Sequence, residues 1–180
     1  MLEKRYDWIV NRIRPGTVVD FGSVQGEMHE YIKKNAKGVK IIDVDIANAT
    51  VNHDLNKFPY PIESNFADTI VAGELLEHLQ NPLGFLLECN RILKKGGKLL
   101  LTTPNAVGTY YLFPNWFTYG ICTTHFYTWD MNLLLNLFKC TPLRVNQIMT
   151  MNNRHDGLLG LFLRIFKMYN PTIIVEALKV

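Results

Sequence analysis

Chemistry-bearing residues gather at the ends of apolar runs in this chain. The run Thr17–Phe21 leads into Asp20-Phe21-Gly22-Ser23-Val24-Gln25-Gly26-Glu27, and helical spacing resumes over Glu27–Asn35. Glycines in such a turn let backbone N–H groups come close to a bound group and point at it. A second run, Val39–Asp43, ends in Asp43-Val44-Asp45-Ile46. A carboxylate there is placed to accept both hydroxyls of a ribose. A period of two puts Asp43 and Asp45 on one side, and Asp45, beyond the apolar run with Ile46 beside it, is the expected ligand. A solvated turn aspartate is the plain alternative.

Glu74, Glu77 and His78 follow the fourth run, Asp68–Ala72. A histidine beside carboxylates can serve as a general base at neutral pH, or it can cap and brace the loop. His125, in Thr-Thr-His-Phe-Tyr, is the second candidate because it lies after the fifth run's connection. His29, His53 and His155 have no such placement and read as structural or exposed. No H-x-x-x-H pair or Cys/His set occurs, so no metal is expected. The NAD fingerprint is absent too, since Gly22 and Gly26 are separated by three residues. Gly96-Gly97-Lys98 precedes a strand and lacks the Ser/Thr of a phosphate loop.

Strands and helices that could position these residues alternate along the chain. Leu2–Ile13 reads as a helix stopped by Pro15-Gly16. Thr17–Phe21, Val39–Asp43, Asp68–Ala72 and Gly97–Thr102 read as buried strands, with Thr50–His53 a weak one. Pro82–Leu93 is a helix with proline in its first turn. Thr128–Phe138 is helical, Leu143–Thr150 a strand, Gly157–Met168 a helix and Thr172–Leu178 a last strand. Such alternation implies an α/β fold with a parallel sheet covered on both faces. Gly157–Phe166 is expected to face the core, although contact with a membrane surface is the other reading.

The 180 residues suit one domain, 1–180, and at 48% hydrophobic they can bury a core, which excludes whole-chain disorder. A net charge of +3 with scattered basic residues argues against a nucleic-acid partner. Cys89, Cys122 and Cys140 fit neither a disulfide framework nor a metal spacing, so reduced thiols and a cytoplasmic location are expected. No apolar run is long enough to span a membrane.

The order of the motifs resembles the class I S-adenosylmethionine-dependent methyltransferases, in the small-molecule branch with the E-H-L signature. The matching stretches are VVDFGSVQG (Val18–Gly26), IIDVDI (Ile41–Ile46), HDLNKFPYP (His53–Pro61), ADTIVAGELLEHLQNP (Ala67–Pro82) and RILKKGGKLLLTTPN (Arg91–Asn105), with HFYTWD (His125–Asp130) looser. The resemblance implies a Rossmann-like, doubly wound seven-stranded sheet, mostly parallel. Its last strand, Thr172–Leu178, would run antiparallel between the fifth strand and Leu143–Thr150. A cofactor-binding half, 1–105, would precede a substrate-side half, 106–180.

The resemblance also assigns residues to S-adenosyl-L-methionine and its product S-adenosyl-L-homocysteine. Asp20, Gly22, Ser23 and Gly26 would hold the amino-acid part, and Asp45 with Ile46 the ribose side. Asp54 and Leu55 would flank adenine, while Gly73 and Glu74 would close over the methionine end. His78 and His125, far apart in sequence, would then face one pocket beside the methyl group. Val24 departs from the family's D-x-G-x-G-x-G loop, because its Cβ must turn away or reshape the turn. Tyr110, Tyr111, Phe113, Trp116, Phe117 and Tyr119 could form a substrate lid, a hydrophobic cluster or a dimer contact.

The acceptor is expected to be a small molecule, such as a sugar, a lipid-linked glycan or a quinone-like compound. Monomer or homodimer, and peripheral membrane contact, stay open. A non-catalytic S-adenosylmethionine-binding protein and an RNA methyltransferase are the alternatives. The second is disfavoured by the missing basic domain and missing Asn/Asp-Pro-Pro-aromatic motif.

Overall fold

In the computed structural model, residues 4–23, 26–108, 124–152 and 157–180 are described. Val24, the aromatic run Tyr110–Tyr119, Cys122 and His155 lie outside them.

The strands are β1 (Gly16–Phe21), β2 (Val39–Asp45), β3 (Val51–Asn52), β4 (Ala67–Gly73), β5 (Leu93–Pro104), β6 (Leu143–Met151) and β7 (Thr172–Lys179). The helices are α1 (Lys4–Val10), α2 (Glu27–Asn35), α3 (Pro82–Ile92), α4 (Met131–Lys139) and α5 (Gly157–Ile165). They build one seven-stranded sheet in the order β3-β2-β1-β4-β5-β7-β6. Strands β1 to β5 pair in parallel, whereas β7 runs antiparallel to both β5 and β6, as expected.

Strand alternation explains how the central strands are buried on both faces. Val19, Phe21, Ile70, Ala72, Leu99, Leu101, Ile173 and Val175 point to one face, where they meet Phe85, Leu86 and Ile92 of α3 and Leu134 and Phe138 of α4. Their neighbours Val18, Val71, Leu100 and Ile174 point the other way, toward Trp8, Ile9 and Ile32. Asn81 caps α3 through Gly84 N, with proline at its start, and Asp130 caps α4 by accepting from Asn132 N and Leu133 N.

The expectation that Gly157–Phe166 faces the core holds for only part of the stretch. Leu163 is buried, but Leu161, Phe162, Ile165, Phe166 and Met168 are exposed, and the helix ends at Ile165 before a 3₁₀ turn, Lys167–Tyr169. The stretch has more apolar residues than one buried stripe can hold. β5 starts at Leu93, earlier than expected, and its pairing with β4 shifts between Ala67 and Thr69. The polar Lys94-Lys95-Gly96-Gly97 run, with Gly96 at φ +75, hid that extension in the sequence.

Candidate active site

The glycine turn sits where β1 gives way to α2. Gly22 has φ +72, a conformation glycine adopts without a Cβ penalty, and a Cβ there would fall 2.9 Å from Leu75 Cδ1. Gly22 N donates to Val44 O at 2.9 Å, which ties the turn to β2. Gly26 is the N-cap of α2 and supplies no side-chain acceptor to its first-turn amides. Asp20 is fully buried; one carboxylate oxygen lies 2.8 Å from His29 Nδ1 and the other, Oδ1, has no partner among the described residues. The Asp20 hydrogen bond raises the His29 pKa, and burial raises that of Asp20. Ser23 Oγ is also buried without a partner among the described residues.

At the end of β2 the two aspartates separate by function. Asp43 accepts from the Thr50 hydroxyl and, at 3.2 Å, from the Thr50 amide, so it braces the turn into β3. Asp45 is buried and its Oδ1 accepts from Ile46 N at 2.6 Å. Ile46 itself is 72% exposed, an apolar surface beside that carboxylate. Asp54 accepts from Asn56 N at 3.0 Å, which heads the causes that lower its pKa. Leu55 is buried, and its carbonyl accepts from Tyr60 Oη at 2.8 Å. Arg91 fixes this loop from α3, donating to Tyr60 O, Ile62 O and both carboxylate oxygens of Glu88.

A second group of residues lies at the ends of β4 and β5. Gly73 is backed by Met28, whose Cε would sit 2.2 Å from an added Cβ, so a side chain there would push the end of Met28 aside. Glu74 has φ 51, a conformation uncommon for a non-glycine residue. Its Oε1 pairs with Arg5 Nη1 and accepts from Thr102 Oγ1, both at 2.9 Å. Glu77 is buried on the 3₁₀ turn Leu76–His78; Thr103 Oγ1 donates to its Oε2 at 2.9 Å, and its Oε1 has no hydrogen-bond partner among the described residues. Burial, then the nearby Glu74 charge, pushes Glu77 up to about 8. The His78 and His125 rings meet edge-to-face with centroids 4.6 Å apart. Burial, then His78, lowers the His125 pKa.

A family model described as a methyltransferase domain matches residues 3–147. The chain belongs to the class I S-adenosylmethionine-dependent methyltransferases. S-adenosylmethionine is the cofactor of that family. A Mycolicibacterium smegmatis protein named "Probable S-adenosylmethionine-dependent methyltransferase" is 27% identical over 113 residues, covering 57% of this chain and 43% of its own length. The chain therefore spans less than half of that relative. Among solved structures, a SAM-dependent methyltransferase from Aquifex aeolicus superposes with a TM-score of 0.69 at 15% identity, over 99% of this chain and 91% of its own. A geranyl diphosphate C-methyltransferase from Streptomyces coelicolor, crystallised with S-adenosyl-L-homocysteine, gives 0.72 at 12% identity, over 98% and 76%. At such identities these two show the fold.

For a methyltransferase of this class, the sequence names the strand ends but not all the residues that support them. His29 is bound to Asp20, Arg5 to Glu74 and Thr103 to Glu77. Nothing in local spacing signals these partners, because each comes from a different element. The structure does bring His78 and His125 together; it leaves Asp43 to the β2–β3 turn.

Proposed function

We propose that this chain transfers a methyl group from S-adenosylmethionine to a small-molecule acceptor. Two orphaned buried atoms, Asp20 Oδ1 and Ser23 Oγ, carry the reading, because they flank an α2 N-terminus that has no side-chain cap. Buried polar atoms without partners are costly, and they suit a site built for a polar ligand. The cofactor's amino group fits the Asp20 side, and its carboxylate fits the first amides of α2. Asp45 fits the ribose hydroxyls, exposed Ile46 one face of adenine, and Asp54 with Leu55 its edge. Gly73 and Glu74 fit the methionine end.

The sulfonium of the bound cofactor supplies an already electrophilic methyl group. The chain's own part is alignment and exclusion of water. Glu77, His78 and His125, at the adjacent ends of β4 and β5, form the polar cluster that meets the acceptor. If the acceptor is a hydroxyl, loss of its proton is assisted at this cluster. The free thiols Cys89 and Cys140 support a reducing, cytoplasmic setting. No helix among the described residues is long and apolar enough to cross a membrane.

The reading is tested by incubating the chain with methyl-labelled S-adenosylmethionine and a panel of hydroxylated, amine and carbon acceptors. Label transfer to a small molecule supports it. Tight cofactor binding without transfer to any acceptor favours the non-catalytic binder, and transfer to RNA favours the nucleic-acid enzyme.

A further inference from the structure

Glu77, His78 and His125 come from two segments, yet their donor atoms lie within 4.8 Å of one another. His78 Nε2 is 4.0 Å from Glu77 Oε1. Around a tetrahedral ion with bonds of ~2.1 Å the donors stand about 3.4 Å apart, so small side-chain rotations close the set. Each member is oriented from behind. Thr103 Oγ1 holds Glu77 Oε2 at 2.9 Å, which leaves the buried Oε1 turned toward the histidines with no partner. His78 Nδ1 lies 3.1 Å from the Thr124 carbonyl, an acceptor, so this nitrogen is the donor and Nε2 carries the lone pair. Phe126 N and Tyr127 N both donate to Glu77 O, at 2.8 and 3.3 Å, and so fasten the segment that carries His125. Outer hydrogen bonds that fix a carboxylate and an imidazole tautomer are the usual supports of metal ligands.

We propose that Glu77 Oε1, His78 Nε2 and the His125 imidazole form a site for one divalent first-row transition-metal ion. Two neutral imidazoles and a carboxylate suit Zn²⁺, Co²⁺ or Fe²⁺ and leave a position for an oxygen ligand. Glu77 closes the buried side, so the open position faces the half-exposed side of the two rings. Spacing rules miss such a site because only Glu77 and His78 are neighbours in sequence. On the methyl-transfer reading, on which this one step rests, the open position takes an acceptor hydroxyl. The ion eases loss of its proton to water and leaves the oxygen lone pair for the methyl group. The ion site itself stands without that reading.

The test uses the full chain, stripped with a chelator and titrated with Zn²⁺ by calorimetry, with bound metal counted after gel filtration. One ion per chain is expected. His125→Ala and Glu77→Gln should each weaken Zn²⁺ by at least about 100-fold, and Thr103→Val by about 10-fold. His53→Ala, outside the cluster, should change nothing. If Glu77→Gln fails to fold by circular dichroism, the half-exposed His125 carries the test. Unchanged Zn²⁺ affinity in His125→Ala, or no stoichiometric uptake by the wild type, would overturn the site. S-adenosylhomocysteine titrated into the same samples keeps the two readings apart, since its binding should survive in His125→Ala.

Discussion

Replacing Asp45 by asparagine removes a charge while keeping an acceptor for the Ile46 amide, which now bonds Oδ1 at 2.6 Å. Asparagine fits the same volume, so this buried site should fold as before. What changes, on the proposed cofactor assignment, is the pair of bonds to the ribose hydroxyls. Hydrogen bonds to a charged acceptor contribute about 1.5–3 kcal/mol each, and part of that is offset by desolvating the carboxylate. A net loss near the value of one such bond weakens S-adenosylhomocysteine about 10- to 150-fold. Asp43→Asn is the matched control, because Asp43 is already engaged by Thr50. Calorimetric titration of both variants, with thermal melts to confirm folding, reads the difference. A Kd for Asp45→Asn within about threefold of wild type would refute the assignment. So would a larger loss from Asp43→Asn.

Further outcomes follow from the core and the ion pairs. Phe85→Ala, at a fully buried ring packed on Phe21, should cost about 3–5 kcal/mol in chemical denaturation. Arg91→Met should cost about 2–4 kcal/mol, because it strips donors from Tyr60 O, Ile62 O and Glu88. The Arg91 bond lowers the Glu88 pKa, so the stability from this pair is present above about pH 4.5. It should fade as pH falls through the folded value, and acid denaturation of Arg91→Met should lack that component. His29 and Asp20 give the opposite slope. Both are raised in the fold, so the Asp20 contribution should be lost as pH rises above about 3.8 and the His29 contribution as pH rises above about 6.5, and His29→Asn should remove the upper component.

Much of the fold was legible because strand alternation and helical spacing are local. Glu27–Asn35 is helical over the span its periodicity predicts, and Thr172–Lys179 takes the antiparallel place that the family resemblance implied. The chemistry was legible only where a strand ends, as at Gly22, Asp45 and Glu77. Its supports were not. The Asp20–His29 bond and the meeting of His78 with His125 depend on which elements the sheet order makes adjacent, and no window of sequence encodes that. The choice of Asp45 over Asp43 rested on its place beyond the apolar run; in the fold Thr50 engages Asp43. The exposed face of α5 misled the reading because a uniformly apolar stretch carries no directional information.

The central claim is that this is a cofactor-binding methyltransferase fold, and calorimetric titration with S-adenosylmethionine and S-adenosylhomocysteine tests it most directly. One site per chain is predicted for each, with the Kd in the micromolar range. No binding of either at millimolar concentration would contradict the account.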